Sequence, residues 1–186
     1  MRSDFLPGGI FEPPSLDQTP GVGLPFLRFR LVPDTLAVLP VQQMTEVITM
    51  AAHEIVPIPN LAASVMGVHN WRGEILWMVN LGHLLGLDPL YQHATNRSIH
   101  TAIVIREAQL MPDRQPAASQ QTADKKLGLV VNQVEDMEWL NPDLIQSPPP
   151  AAVTPALVPF LRGFWLKSNG EVLIVLDGRS ILAAMP

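Results

Sequence analysis

Cysteine is absent from the 186 residues. This excludes a disulfide framework, a thiolate nucleophile and any metal centre built on sulfur. Charge is scarce too, at 16% of residues, and there is a single tyrosine. No apolar run approaches the roughly 20 residues that a bilayer-spanning helix needs. The opening MRSDFLPGGIFEPPSLDQTPGVG lacks the unbroken apolar segment of a secretory leader, because prolines and acidic residues interrupt it. These gaps lead us to expect a cytoplasmic protein with no direct membrane insertion. Twelve Lys and Arg stand against seventeen Asp and Glu, a net charge of −5. That balance disfavours a nucleic-acid binder, which gathers phosphates on a basic face. At 47% hydrophobic residues the chain is globular, with length enough to bury a core.

Catalytic patterns are missing as well. His53, His69, His83, His93 and His100 form neither H-x-H nor H-E-x-x-H, and Pro57 breaks the helix the latter would need. No G-x-S-x-G elbow occurs, and PGVG at Pro20 does not lie between a strand and a helix as a phosphate loop must. Glu135, Asp136 and Glu138 read as a solvated strand end, and Arg28 and Arg30 of FLRFRL as a solvated strand face. We therefore expect no enzyme, no metal and no cofactor. A small β-barrel nucleic-acid binder is the alternative, and a small hydrolase ranks third.

What the chain does contain is short strands. Leu27, Phe29 and Leu31 alternate with the two arginines, the period of a half-buried strand. LAVLPV, QQMTEVITM, TAIVI, KLGLVVNQVEDMEWL and the hairpin around Asn169-Gly170 continue the pattern. Residues 1–24 read as a disordered lead-in, and the polar, Pro-bearing stretch at about 107–126 as a flexible insertion. The strands also repeat. GEILWMVNLGHLL from Gly73 matches GEVLIVLDGRSIL from Gly170, an offset of 170 − 73 = 97. LPVQQMTEVITM from Leu39 matches LVVNQVEDMEWL from Leu129, an offset of 129 − 39 = 90. FLRFRLV from Phe26 corresponds loosely to TAIVIRE from Thr101. Two copies of one five-stranded unit, each marginal alone, should share a core. Of Trp71, Trp77, Trp139 and Trp165, about half are expected in cores and half at an interface.

The run GVHNWRGEILWMVNLGHLLG resembles the signature of the CheW family of chemotaxis coupling proteins. LAVLPVQQMTEVI, the proline loop IVPIPN, LGLVVNQVEDMEWLNPD and GEVLIVLDGRSIL are similar to successive parts of the same pattern, from Phe26 to about Leu182. The resemblance implies an all-β fold of two small SH3-like five-stranded barrels packed together, with short helical tails, as a single domain over 25–186. It implies a non-catalytic adaptor between the cytoplasmic tip of chemoreceptors and the regulatory domain of a CheA-type histidine kinase, working at membrane-associated receptor arrays. The family's partner contacts fall here on Met44, Glu46, Gly67 and Arg72, with Trp71 beside them. Trp71 stands where the family usually has Leu, Asn80 where it has Asp, and Gly82 where Arg is common. Those departures point toward a pilus- or light-directed motility pathway in place of a flagellar one. On physical grounds Arg72 can fork to an acceptor on a partner, or pair with a carboxylate of its own chain and fix the hairpin. Gly67 permits close backbone approach, Met44 offers an adaptable apolar contact and Glu46 a charge.

Overall fold

Extended structure forms both where apolar residues alternate, as in Leu24–Leu31, and where they run on without a break, as within Lys126–Val131. The computed structural model describes residues 23–31, 34–87, 98–110, 125–147 and 153–185. Ten strands occur among them: β1 (Leu24–Leu31), β2 (Thr35–Pro40), β3 (Glu46–Ala51), β4 (Val65–Trp71), β5 (Glu74–Asn80), β6 (Ile99–Arg106), β7 (Lys126–Val131), β8 (Gln133–Leu140), β9 (Leu161–Leu166) and β10 (Val172–Leu176). Three short α-helices among the described residues follow strands: α1 (Leu81–Leu84), α2 (Glu107–Leu110) and α3 (Gly178–Ala183). Asn80 caps α1 by accepting from the His83 amide, as Asp177 caps α3 by accepting from that of Arg179. Asn in place of the usual Asp therefore keeps the cap.

The expected lead-in lies outside the described residues up to position 22, and Leu24 already opens β1. Of the expected insertion, 111–124 lie outside them too, but its flanks are ordered. Glu107–Leu110 is helical with Leu110 buried, and Lys126 begins β7.

The strands form two five-stranded sheets, ordered β8-β1-β2-β10-β9 and β3-β6-β7-β5-β4. These are the two small barrels expected, but neither is made by one copy of the repeat. Copy one is β1–β5 and copy two is β6–β10, and each barrel takes two strands from one and three from the other. The exchange is sealed by parallel pairs, β10 with β2 and β5 with β7, among otherwise antiparallel ladders. Trp77 sits opposite Leu127 and Ile174 opposite Ala37. The separations 174 − 77 = 97 and 127 − 37 = 90 reproduce the offsets of the sequence repeat.

The first strands differ from the loose alignment by one residue. Leu27 pairs with Leu39 and Ile103 with Leu129, so the true offset is 103 − 27 = 76, whereas matching Phe26 to Thr101 gives 75. A one-residue slip exchanges the two faces of a strand. The corrected register makes Arg106 the counterpart of Arg30.

Apolar residues fill three spaces. Phe26, Val38, Leu140, Leu173 and Val175 line the inside of the first barrel. Met50, Ile55, Trp71, Leu76, Met78, Ala102, Val104 and Val130 line the inside of the second. The largest cluster lies between them and draws on both sheets, with Leu27, Phe29, Leu31 and Leu39 meeting Val79, Ile103, Ile105 and Leu129. Neither barrel interior is large enough for a stable small domain, so the shared layer carries the fold.

Each barrel also crosses itself at a glycine. Val56 bridges Val68, and its counterpart Gln146 bridges Phe164. A Cβ on Gly67, whose φ is +142°, would lie 2.2 Å from the Val56 carbonyl oxygen. A Cβ on Gly163 would lie 2.6 Å from that of Gln146. Gly67→Ala and Gly163→Ala should each cost about 2–4 kcal/mol through these clashes. Gly73→Ala, with nothing within 4 Å but φ +82°, should cost about 1 kcal/mol. Urea denaturation of the three variants checks the order, and equal losses would remove the crossing argument.

Candidate partner-binding site at the mouth of one barrel

β3 and β4 end the strand order of the second barrel, so its seam must be closed by side chains. Glu46, the first residue of β3, closes it. Its Oε1 accepts from the Trp71 indole at 2.7 Å, and its Oε2 accepts from Arg72 Nη2 at 2.8 Å. Trp71 is 6% exposed and caps the barrel interior, so its N–H needs that acceptor. The Arg72 guanidinium lies 5.3 Å from the Trp71 ring centroid and that of Arg106 lies 5.9 Å away, both within cation–π range.

Local backbone geometry explains Arg72. Trp71 pairs with Glu74, leaving a two-residue hairpin in which Arg72 (φ 54°) and Gly73 (φ 82°) are both left-handed. That turn favours Asn-Gly, and a bulky first residue is strained there by about 1–2 kcal/mol. The Asn70 side chain supports the turn by accepting from the Gly73 amide. A strained, 69% exposed arginine beside a buried tryptophan is the arrangement in which strain serves a site.

Of the five residues singled out from sequence, Glu46, Trp71 and Arg72 are thus joined directly. The intramolecular pair considered for Arg72 is formed. Met44 lies just before β3, half-buried against the shared core. Gly67 is buried, and the close approach it allows is to Val56 of its own chain. Trp71 is the core tryptophan of the four, and Trp139 is the most exposed at 52%. Sequence reasoning missed Arg106, because the slipped alignment hid its match to Arg30. It also missed Lys126, buried on β7, whose Nζ lies 2.5 Å from Glu74 beside the hairpin. No group of three potential metal ligands occurs among the described residues.

The first barrel closes its mouth differently. Arg28 is not on a solvated face. It donates to Glu135 at 2.6 Å, to Glu138 at 3.1 Å and to both oxygens of Glu171 at 2.8 and 2.9 Å, with its side chain 16% exposed. Arg30 also donates to Glu135, and Lys167 to Glu138 at 2.6 Å across the β8–β9 seam. A bulge in β8 opposite Arg28 makes room for this, since Leu27 pairs with Met137 but Phe29 with Val134. Burial works to raise the Glu135 carboxyl, yet hydrogen bonds from Arg30 and Arg28 and their charges hold it below its ordinary value. Burial likewise works to lower Arg28, and bonds to Glu171, Glu135 and Glu138 raise it instead.

Comparison with known proteins agrees with this architecture. The family model described as CheW-like domain matches residues 25–185. The crystal structure of scaffolding protein TtCheW from Thermoanaerobacter tengcongensis is similar, with TM-score 0.60 and 21% identity, over 83% of this chain and 88% of that one. No curated protein matches the chain.

Removing Glu46 should cost more than removing Arg72. Glu46→Ala strands the buried Trp71 N–H, about 1–3 kcal/mol, whereas Arg72→Ala loses only an exposed pair and keeps the same Cβ in the turn, a change within about 1 kcal/mol. Chemical denaturation separates them, and equal losses would mean that Arg72 is the structural partner. The first barrel supplies a pH test. A carboxylate with a depressed folded pKa contributes stability above the unfolded value, about 4.3, and loses it as pH falls through the folded one. Unfolding free energy should therefore drop below about pH 4.3, and less steeply in Glu135→Gln; identical slopes would exclude Glu135 as a contributor.

Proposed function

The chain belongs to the CheW-like domain family, and from that premise we propose that it is a non-catalytic adaptor joining chemoreceptor tips to the regulatory domain of a CheA-type histidine kinase. The observation that carries the reading is the Glu46–Trp71–Arg72 assembly. It spends a buried hydrogen bond and backbone strain to hold one guanidinium at an exposed hairpin tip. An arginine fixed by its own chain loses little further freedom on binding, which favours a specific contact. Met44 and Glu46 extend the surface along the entry to β3, and Gly67 fixes the chain crossing beneath it. The family membership and the likeness to a protein described as scaffolding support an adaptor over an enzyme.

Work in the cytoplasm at receptor arrays belongs to the same proposal; no helix among the described residues is long and apolar enough to cross a membrane. The nucleic-acid alternative gains no support from Arg28 and Arg30, because carboxylates engage both. Whether the pathway drives flagella, pili or a light response is a question of which receptor binds.

Arg72→Asn is the discriminating variant, since Asn-Gly is the preferred pair for this turn. Co-sedimentation with receptor-bearing membranes and kinase should fall at least tenfold for Arg72→Asn, with thermal stability equal to or above that of the parent. Full assembly by this variant would overturn the site.

A further inference from the structure

The internal repeat exposes a difference between its copies on the flank of the shared core away from Arg72. Around the second copy, Leu157 and Phe160 are buried, 5% and 6% exposed, in the shared cluster that also holds Leu176 and Ala37 and has Leu161, Ile174 and Leu87 packed against it. Matching hydrogen bonds fix the counterparts. The Asp177 amide donates to the Phe160 carbonyl, and the Asn80 amide to that of Ser64. With 177 − 80 = 97 and 160 − 64 = 96, Ser64 stands where the second copy has Phe160, and Leu61 stands where it has Leu157. Leu61 is 38% exposed. The loop of the first copy is also shorter: Val56 to Val68 spans 68 − 56 = 12 residues, and Gln146 to Phe164 spans 164 − 146 = 18.

The first copy therefore lacks that aromatic ring, and a cavity of about 90 Å³ lies against Leu61, Val65, Trp77, Val79 and Leu127, the counterparts of Leu157, Leu161, Ile174, Leu176 and Ala37, with Ser64 itself outside the lining. Ala62 and Met185 are also among its walls. The lining is almost wholly apolar, and such a space is better filled by an apolar group than by water. Trp77 belongs to that wall, and no acceptor for its indole N–H occurs among the described residues.

We infer that this pocket receives a phenylalanine-type side chain from a partner polypeptide, in the role that Phe160 plays within the second copy. The indole N–H of Trp77 meets a backbone carbonyl next to that side chain, which distinguishes a peptide from a free hydrocarbon. This does not rest on the adaptor reading, for the pocket shares no residue with the Arg72 site.

The probe is N-acetyl-phenylalaninamide, titrated into the full-length, nitrogen-labelled protein and followed by the Trp77 indole resonance. Saturable binding in the millimolar range is expected, at least tenfold tighter than for N-acetyl-alaninamide. Ser64→Phe should fill the space from within, weaken binding at least tenfold and leave or raise the thermal midpoint. Ala184→Leu narrows the pocket from the opposite wall and should also weaken binding, which keeps the test decisive if Ser64→Phe folds poorly. Phe160→Ser, if folded, should gain a second site near Ile174. The inference is overturned if the Trp77 resonance does not move, if both narrowing variants bind as the parent does, or if toluene binds and the blocked amino acid does not.

Discussion

Neither barrel closes with the strands of its own repeat, and every other feature follows from that constraint. The parallel contacts of β2 with β10 and of β5 with β7 interlock the copies and place Leu27, Phe29 and Leu31 against Ile103, Ile105 and Leu129. Burial of a fully apolar side chain contributes about 1.5–3 kcal/mol. Twenty buried residues in the shared layer, against five and eight in the barrel interiors, make that layer the main source of stability. The barrel mouths are then free to carry polar groups.

The two mouths use that freedom in different ways. One barrel is capped by a tryptophan whose single polar atom is satisfied by Glu46, and the same carboxylate steadies Arg72. The other is capped by a balanced lattice of Arg28, Arg30 and Lys167 with Glu135, Glu138 and Glu171. The lattice satisfies itself and offers little unpaired charge. The capped mouth instead leaves part of a guanidinium facing solvent, so similar barrels present dissimilar surfaces.

Much of this was legible in the chain. Alternation in LRFRL and the apolar run TAIVI located strands, and the offsets of 97 and 90 recur in the ladders, although each barrel draws on both copies. Asn169-Gly170 marked its hairpin because the backbone preference is local. What stayed hidden depended on partners distant in sequence. Arg28 is polar and lies on a strand, which ordinarily means solvent, and only the fold brings Glu135 and Glu171 to it. Gly67 was recognised as a place of close approach, but the approaching chain is its own Val56. Arg106 was obscured by a slip of one residue, which in a strand reverses inside and outside.

The interlocking also sets an order of events during synthesis. The second barrel runs without interruption from Glu46 to Val131, so all its strands emerge before the first barrel has more than β1 and β2. At roughly 5–20 residues per second, the growing chain needs a few more seconds to deliver β8 to β10. Throughout that interval β1 and β2 can settle on the apolar flank of the finished barrel but have no neighbours on their outer edges. The nascent chain thus passes through a half-built stage with two open strand edges, and that stage is where chaperone engagement or misassembly between neighbouring chains would concentrate.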